Sequence, residues 1–137
     1  MAKTLTLEGD IAAADTRTAL TTQGSVTAPS VVVPAGVSKI DKIIVAAAAE
    51  GLADGSGVFF LRIGGNAVQR GEQAIMISAA GRIAAQAGSD AAPQVAPPIV
   101  IENADIAISP SDTLTISAEM AGSDLGTGHV VATILFA

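Results

Sequence analysis

The residues that could do acid–base or metal chemistry are few and scattered. His129 is the only histidine in 137 residues. As a general base it would need a positioned nucleophile or carboxylate, and as a metal ligand it would need companions. It reads instead as a structural or surface residue at the entry to the last strand. Metal sites of the cupin type need several histidines, so that enzyme class is excluded. Glu8, Glu50, Glu72, Glu102 and Glu119 raise the idea of two acids facing across a glycosidase cleft. Sugar sites normally bring Trp or Tyr platforms, and the chain has neither. A solvated strand face accounts for these glutamates better. Asp54, Asp90, Asp105, Asp112 and Asp124 lie in or near turn signals, where paired oxygens could hold Ca²⁺. No spacing among them resembles an EF-hand loop, and turn or capping roles fit better. Gly64-Gly65-Asn66 and the segment from Gly122 to Gly128 have neither the Lys-Ser/Thr of a phosphate loop nor a following helix. They read as turns. No catalytic residue, metal ligand or cofactor is therefore expected, and the chain does not read as an enzyme.

Composition points to contacts rather than chemistry. Half of the residues are hydrophobic, the excess being Ala, Val and Ile, with three Phe and no Trp or Tyr. Charged residues make up 15%, against roughly 25% in an ordinary soluble domain. A small domain so poor in charge leaves neutral or apolar surface for repeated subunit contacts. The net charge is −6, and the seven basic residues (Lys3, Arg17, Lys39, Lys42, Arg62, Arg70, Arg82) form no cluster. Direct nucleic-acid binding is not expected from such a distribution. Zero cysteines exclude a disulfide framework and thiolate chemistry. The longest apolar run, residues 43–49, is far shorter than the roughly 20 residues of a membrane span. The N-terminus leads straight into a strand pattern, so no signal peptide is expected.

The elements that must position these residues read as strands. In residues 106–137 Leu114, Ile116, Ala118 and Met120 alternate with Thr113, Thr115, Ser117 and Glu119, the period of a half-buried strand. Residues 130–136 are apolar on both faces except for Thr133, as in a strand covered on both sides. With the Gly-rich segment between them, the two runs read as a final hairpin. Earlier, residues 4–8 (TLTLE), 16–27 and 30–36 (SVVVPAG) carry strand and turn signals, with a turn or Ala-rich connector at 10–15 and a bulge or bend at Gly24. Residues 38–50 (SKIDKIIVAAAAE) are ambiguous. Four alanines favour helix, while the β-branched Ile43, Ile44 and Val45 and the following turn favour strand, which is the preferred reading. Residues 58–63 (VFFLRI) and 72–78 (EQAIMIS) read as a hairpin around Gly64-Gly65-Asn66. Residues 79–98 are rich in Ala, Gly, Ser and Pro, with a candidate helical turn at 82–86. Twenty residues without strand pattern is the length of a functional insertion. Residues 99–102 and 105–108 are one bent strand or two short ones.

Eight or nine short strands with Gly and Pro turns predict a single all-β domain over 1–137, an antiparallel β-sandwich. The jelly roll is the first choice and an immunoglobulin-like sandwich the second. The candidate contact segments between subunits are 43–49, 79–98 and 130–136, with Ile43, Ile44, Val45, Ala47, Ala85, Pro97, Val131 and Leu135 as the named contacts. The last two runs, with FFLRIGGNAV and GEQAIMIS upstream, resemble virion structural proteins of the single jelly-roll kind. From residue 38 onward the pattern is similar to small capsid and capsid-decorating proteins of phages and archaeal viruses. The resemblance implies a homo-oligomer that assembles with other virion proteins, located in the particle and made in the host cytoplasm. One departure is the missing basic arm, since only Lys3 precedes Glu8 and Asp10. The alternatives are a receptor-binding or adhesin module with 79–98 as its tip, and a subunit of an extracellular filament.

Overall fold

The computed structural model describes residues 4–11, 17–22, 30–49, 58–78, 94–95, 98–121 and 128–137. Within them every regular element is a strand: β1 (Thr4–Ile11), β2 (Thr18–Ala19), β3 (Thr21–Thr22), β4 (Ser30–Val32), β5 (Lys39–Ala49), β6 (Val58–Gly64), β7 (Gln73–Ser78), β8 (Gln94–Val95), β9 (Ile99–Ile101), β10 (Ile106–Ala107), β11 (Thr113–Ala121) and β12 (Gly128–Phe136). All pair antiparallel, in two sheets. The larger sheet runs β10-β5-β12-β1-β3, with β8 and β9 also along β5. The smaller runs β2-β11-β6-β7, with β4 also on β11. When the short collinear pieces are grouped, the sheets read first-eighth-third-sixth and second-seventh-fourth-fifth. That strand order is a jelly roll, as the turn-rich strand pattern predicts.

The expected final hairpin is not one. β11 pairs with β2, β4 and β6 in one sheet, while β12 pairs with β1 and β5 in the other. Each run has one face that must be buried, and that demand is met equally by pairing with a sequence neighbour or by facing it across a sandwich. Here the chain crosses between layers. The same happens at the short pieces β2 and β3, which put one residue pair on each sheet around Leu20. Leu20 is fully buried, and its N–H donates to the Ile116 carbonyl at 2.8 Å.

β5 is strand throughout and not helix, despite its four alanines. Pairing on both edges, with β12 on one side and β8, β9 and β10 on the other, outweighs the weak helix propensity of alanine. Its register shifts where Leu135 faces Lys42 but Phe136 faces Ile40, leaving Asp41 as the extra residue of a bulge. The bulge is why Ile40 and Ile43, an odd distance apart, are both fully buried. The Asp41 carbonyl freed there accepts the Ala104 N–H at 2.8 Å.

Three boundaries differ from the sequence reading. β1 continues through Asp10 to Ile11, where a connector is expected, because Asp10 and Ile11 pair with His129 and Gly128. The β6–β7 connection is longer than a two-residue hairpin turn, spanning 65–72. Gly65 starts it at φ +96°, where a Cβ would lie 2.6 Å from the Thr113 carbonyl oxygen, so only glycine lets the loop pass so close to β11. Gln94 and Val95, inside the segment read as lacking strand pattern, pair with β5. The bend at Gly24 and the helical turn at 82–86 lie outside the described residues.

The core fills the space between the sheets. β11 contributes Leu114, Ile116, Ala118 and Met120, and β12 contributes Val130, Ala132, Ile134 and Phe136. β5 adds Ile40, Ile43, Val45 and Ala47, and β6 adds Phe59, Leu61 and Ile63. Burying one such Leu, Ile or Phe side chain is worth about 1.5–3 kcal/mol. Phe59 is the one aromatic side chain that is essentially inaccessible, and branched aliphatics do most of the filling.

Candidate functional site

The period of two that buries one face of each strand presents the other outward. On the larger sheet the outward row from β9, β5, β12 and β1 is Val100, Ile44, Thr133 and Thr6. The rows beside it carry Ala46, Val131 and Glu8 in one direction and Lys42, Leu135 and Thr4 in the other. Ile44, Ala46, Val131 and Leu135 are half-buried, and Val100 is 51% exposed. An apolar group thus crosses three strands, with Thr6 and Thr133 (Oγ1 to Oγ1 3.3 Å) on its β1 side. Charged pairs stand at its rim. Lys42 meets Glu102 at 3.5 Å at one end.

At the other end stands His129. Its Nδ1 lies 2.6 Å from an Asp10 carboxylate oxygen, and its Nε2 lies 3.8 Å from Glu8. The sequence reading had no way to find this cluster, because the three residues meet only through the β1–β12 register, 119 positions apart for Asp10 and His129. A histidine oriented by a carboxylate is half of a catalytic dyad. Among the described residues the group that Nε2 faces is a second carboxylate and not a hydroxyl. His129 stands at the surface at the start of β12, its side chain 44% exposed.

The smaller sheet shows a different outer face. Arg62 on β6 reaches Glu119 on β11 through Nε at 2.5 Å and Glu72 at 3.5 Å, and Glu72 also meets Arg17 at 3.1 Å. The Arg62 guanidinium lies 5.6 Å from the Phe60 ring centre, a cation–π distance. Beside it in register, Ser117 is 6% exposed, a buried polar residue on an outward position. This charged ladder ties four chain segments together on a face that also carries Val32 of β4, paired with Thr113 and 61% exposed. Of the five glutamates, Glu72 and Glu119 therefore hold a cation between them, Glu102 pairs with Lys42, and Glu8 flanks His129; Glu50 lies outside the described residues. Among the described residues no group of three His, Asp or Glu side chains is placed to hold a metal ion, that of His129, Asp10 and Glu8 included. Asp105 pairs with Lys39 at 3.6 Å.

The eight named contact residues divide sharply. Ile43, Val45 and Ala47 are at most 4% exposed and belong to the core, so they are not surface contacts of the folded chain. Alternation sends every second residue of 43–49 inward, and a run apolar on both faces hides which set is which. Ile44, Val131 and Leu135 stand on the outer face of the larger sheet. Ala85 and Pro97 lie outside the described residues. Val100, missed in the sequence reading, joins the outward set; the signal was its central place in the IVI run of β9, between two inward isoleucines. Among the described residues no helix is long and apolar enough to cross a membrane.

No protein-family model matches the chain, and no curated protein is significantly similar to it. Among solved structures it is similar to a xylan-binding module, CBM15, at 9% sequence identity and a TM-score of 0.47, over 79% of this chain and 69% of that one.

Proposed function

We propose that this protein is a non-catalytic binding domain that seats the outer face of its larger sheet on another protein. The observation that carries the reading is the group Val100, Ile44, Ala46, Val131 and Leu135, contiguous in register on that face. Single exposed apolar residues are ordinary, but a connected set flanked by charge is the make-up of an interface centre and rim. In the finer reading the partner is a lattice of like subunits, and the chain is a capsid or capsid-decorating protein of a virion. A second reading, a receptor-binding or adhesin module, is favoured by the closure of the core within one chain. Ile43, Val45 and Ala47 are already inside, covered by the chain's own residues.

Light scattering after size-exclusion chromatography, with negative-stain imaging of any large fraction, separates the two. Rings, shells or filaments support the lattice, and a monomer at every concentration and salt supports the module. Substitution Val131→Lys tests what they share. It should abolish self-association, or binding to the partner once that partner is in hand. A folded V131K protein that associates as before would remove the sheet face from the argument.

A further inference from the structure

A cleft of about 210 Å³ opens at the end of the sandwich where the two sheets meet. One side is the 65–71 turn of the smaller sheet, contributing Val68 and Arg70, with Gln73 at the start of β7. The other is Ala104, Asp105, Ile106 and Ala107 at the β10 edge of the larger sheet. Both walls are fixed. Val68 bridges to Ile108, the Gln69 N–H donates to the Ala107 carbonyl at 3.2 Å, and the Ser109 N–H donates to the Ala67 carbonyl at 2.9 Å. Opposite, Asn103 and Asp105 both adopt positive φ (55° and 52°), a conformation uncommon outside glycine, on either side of Ala104, which is tethered to the β5 bulge.

The chemistry of the cleft is asymmetric. Aliphatic side chains of Val68, Ala104, Ile106 and Ala107 line it together with the polar Arg70, Gln73 and Asp105. Its one cation is Arg70. Arg17, Lys39, Lys42 and Arg62 each have a carboxylate within 4 Å, whereas Arg70 has none among the described residues, in a chain of net charge −6. Asp105, the one acid of the lining, is occupied by Lys39. A guanidinium presents a planar fork of donors that matches a carboxylate two-point. The cleft is smaller than the roughly 300–1,000 Å³ of drug-sized ligand pockets, which suits a short stem and not a sugar chain or a nucleotide.

We infer that this cleft is a binding site for a carboxylate on a short aliphatic stem, with Arg70 as its anion anchor. Such a group is a free short-chain acid or an acidic side chain of a protein partner. The site is separate from the outer sheet face and does not depend on it. The test is amide chemical-shift titration of the whole chain with three probes: butyrate, its neutral isostere butyramide, and the blocked peptide acetyl-Ala-Glu-Ala-amide. Saturable shifts at Gln73, Asp105 and Ile106 are expected from both carboxylates, weakened about tenfold or more in Arg70→Gln, in line with the loss of a charge-assisted hydrogen bond. Tighter binding of the peptide assigns the protein source, and tighter binding of butyrate assigns the free acid. Equal shifts with butyramide, no saturation with either carboxylate, or an unchanged affinity in R70Q would overturn the site. Arg70 is exposed and makes no ion pair among the described residues, so the variant remains folded and its spectrum reports on the cleft directly.

Discussion

Ile43 and Ile44 are the same residue type at adjacent positions, and the fold sends them to opposite sides of β5. Lysine at 43 removes a fully buried isoleucine, a loss of about 1.5–3 kcal/mol of burial. It also places an ammonium in an aliphatic cluster, which costs several kcal/mol more unless the group gives up its charge. The two together come to about 5 kcal/mol or more, comparable with the whole stability of an ordinary domain. Lysine at 44 keeps its aliphatic stem along the sheet beside Val100 and Thr133 and carries its ammonium into water. Its cost to the fold is within about 1 kcal/mol. Urea unfolding followed by circular dichroism reads the first quantity, and light scattering after size exclusion reads association. Ile43→Lys is expected to be unfolded or nearly so without denaturant. Ile44→Lys is expected to unfold close to the parent midpoint and to have lost its association. If the two variants unfold alike, the outer face of β5 is no outer face. If I44K is folded and associates normally, the proposed docking face is wrong.

Two further pairs test the frame around these sites. Gly65→Ala should cost about 3 kcal/mol or more, since positive φ is compounded by the Thr113 oxygen 2.6 Å from the new Cβ, while Gly36→Ala, at φ +83° with open space, should cost only about 1–2 kcal/mol; equal urea midpoints would contradict the close approach of the 65–72 loop to β11. Glu119→Gln, in a pair with Arg62 whose side chains are 19% and 26% exposed, should cost about 1–2 kcal/mol. Glu102→Gln, 69% exposed opposite Lys42, should stay within about 0.5 kcal/mol. Similar melting temperatures for E119Q and E102Q would show that the charged ladder adds nothing to the smaller sheet.

The class of the fold was legible because it rests on period and punctuation. The alternation from Thr113 to Met120, the turn residues and the missing amphipathic helices leave an antiparallel sandwich as the natural outcome. Partnership was not legible, because it is decided by contacts far apart in sequence. Nothing local tells β11 and β12 to face each other across the core instead of pairing. The same limit applies to the candidate contacts. A run such as 43–49 shows that its side chains seek cover without showing which are covered by the chain itself, and the bulge at Asp41 resets the count besides. The His129 cluster and the Arg70 cleft lay further beyond reach. Each is assembled from residues on different elements whose spacing carries no motif.

The place of β12 has a consequence for how the chain acquires its structure. It lies between β1 and β5, yet the β5 end that it joins at Ala49 precedes Gly128 by roughly 80 residues. A growing polypeptide therefore makes both flanking strands long before the one that unites them. Until residues 128–136 emerge, β1 and the Ile-, Val- and Ala-rich β5 have bare edges of the kind that pair promiscuously with other chains. The larger sheet closes in a single late step between distant segments, and loop-closure entropy makes such steps slow. Refolding from denaturant should accordingly be slow and lose yield as concentration rises.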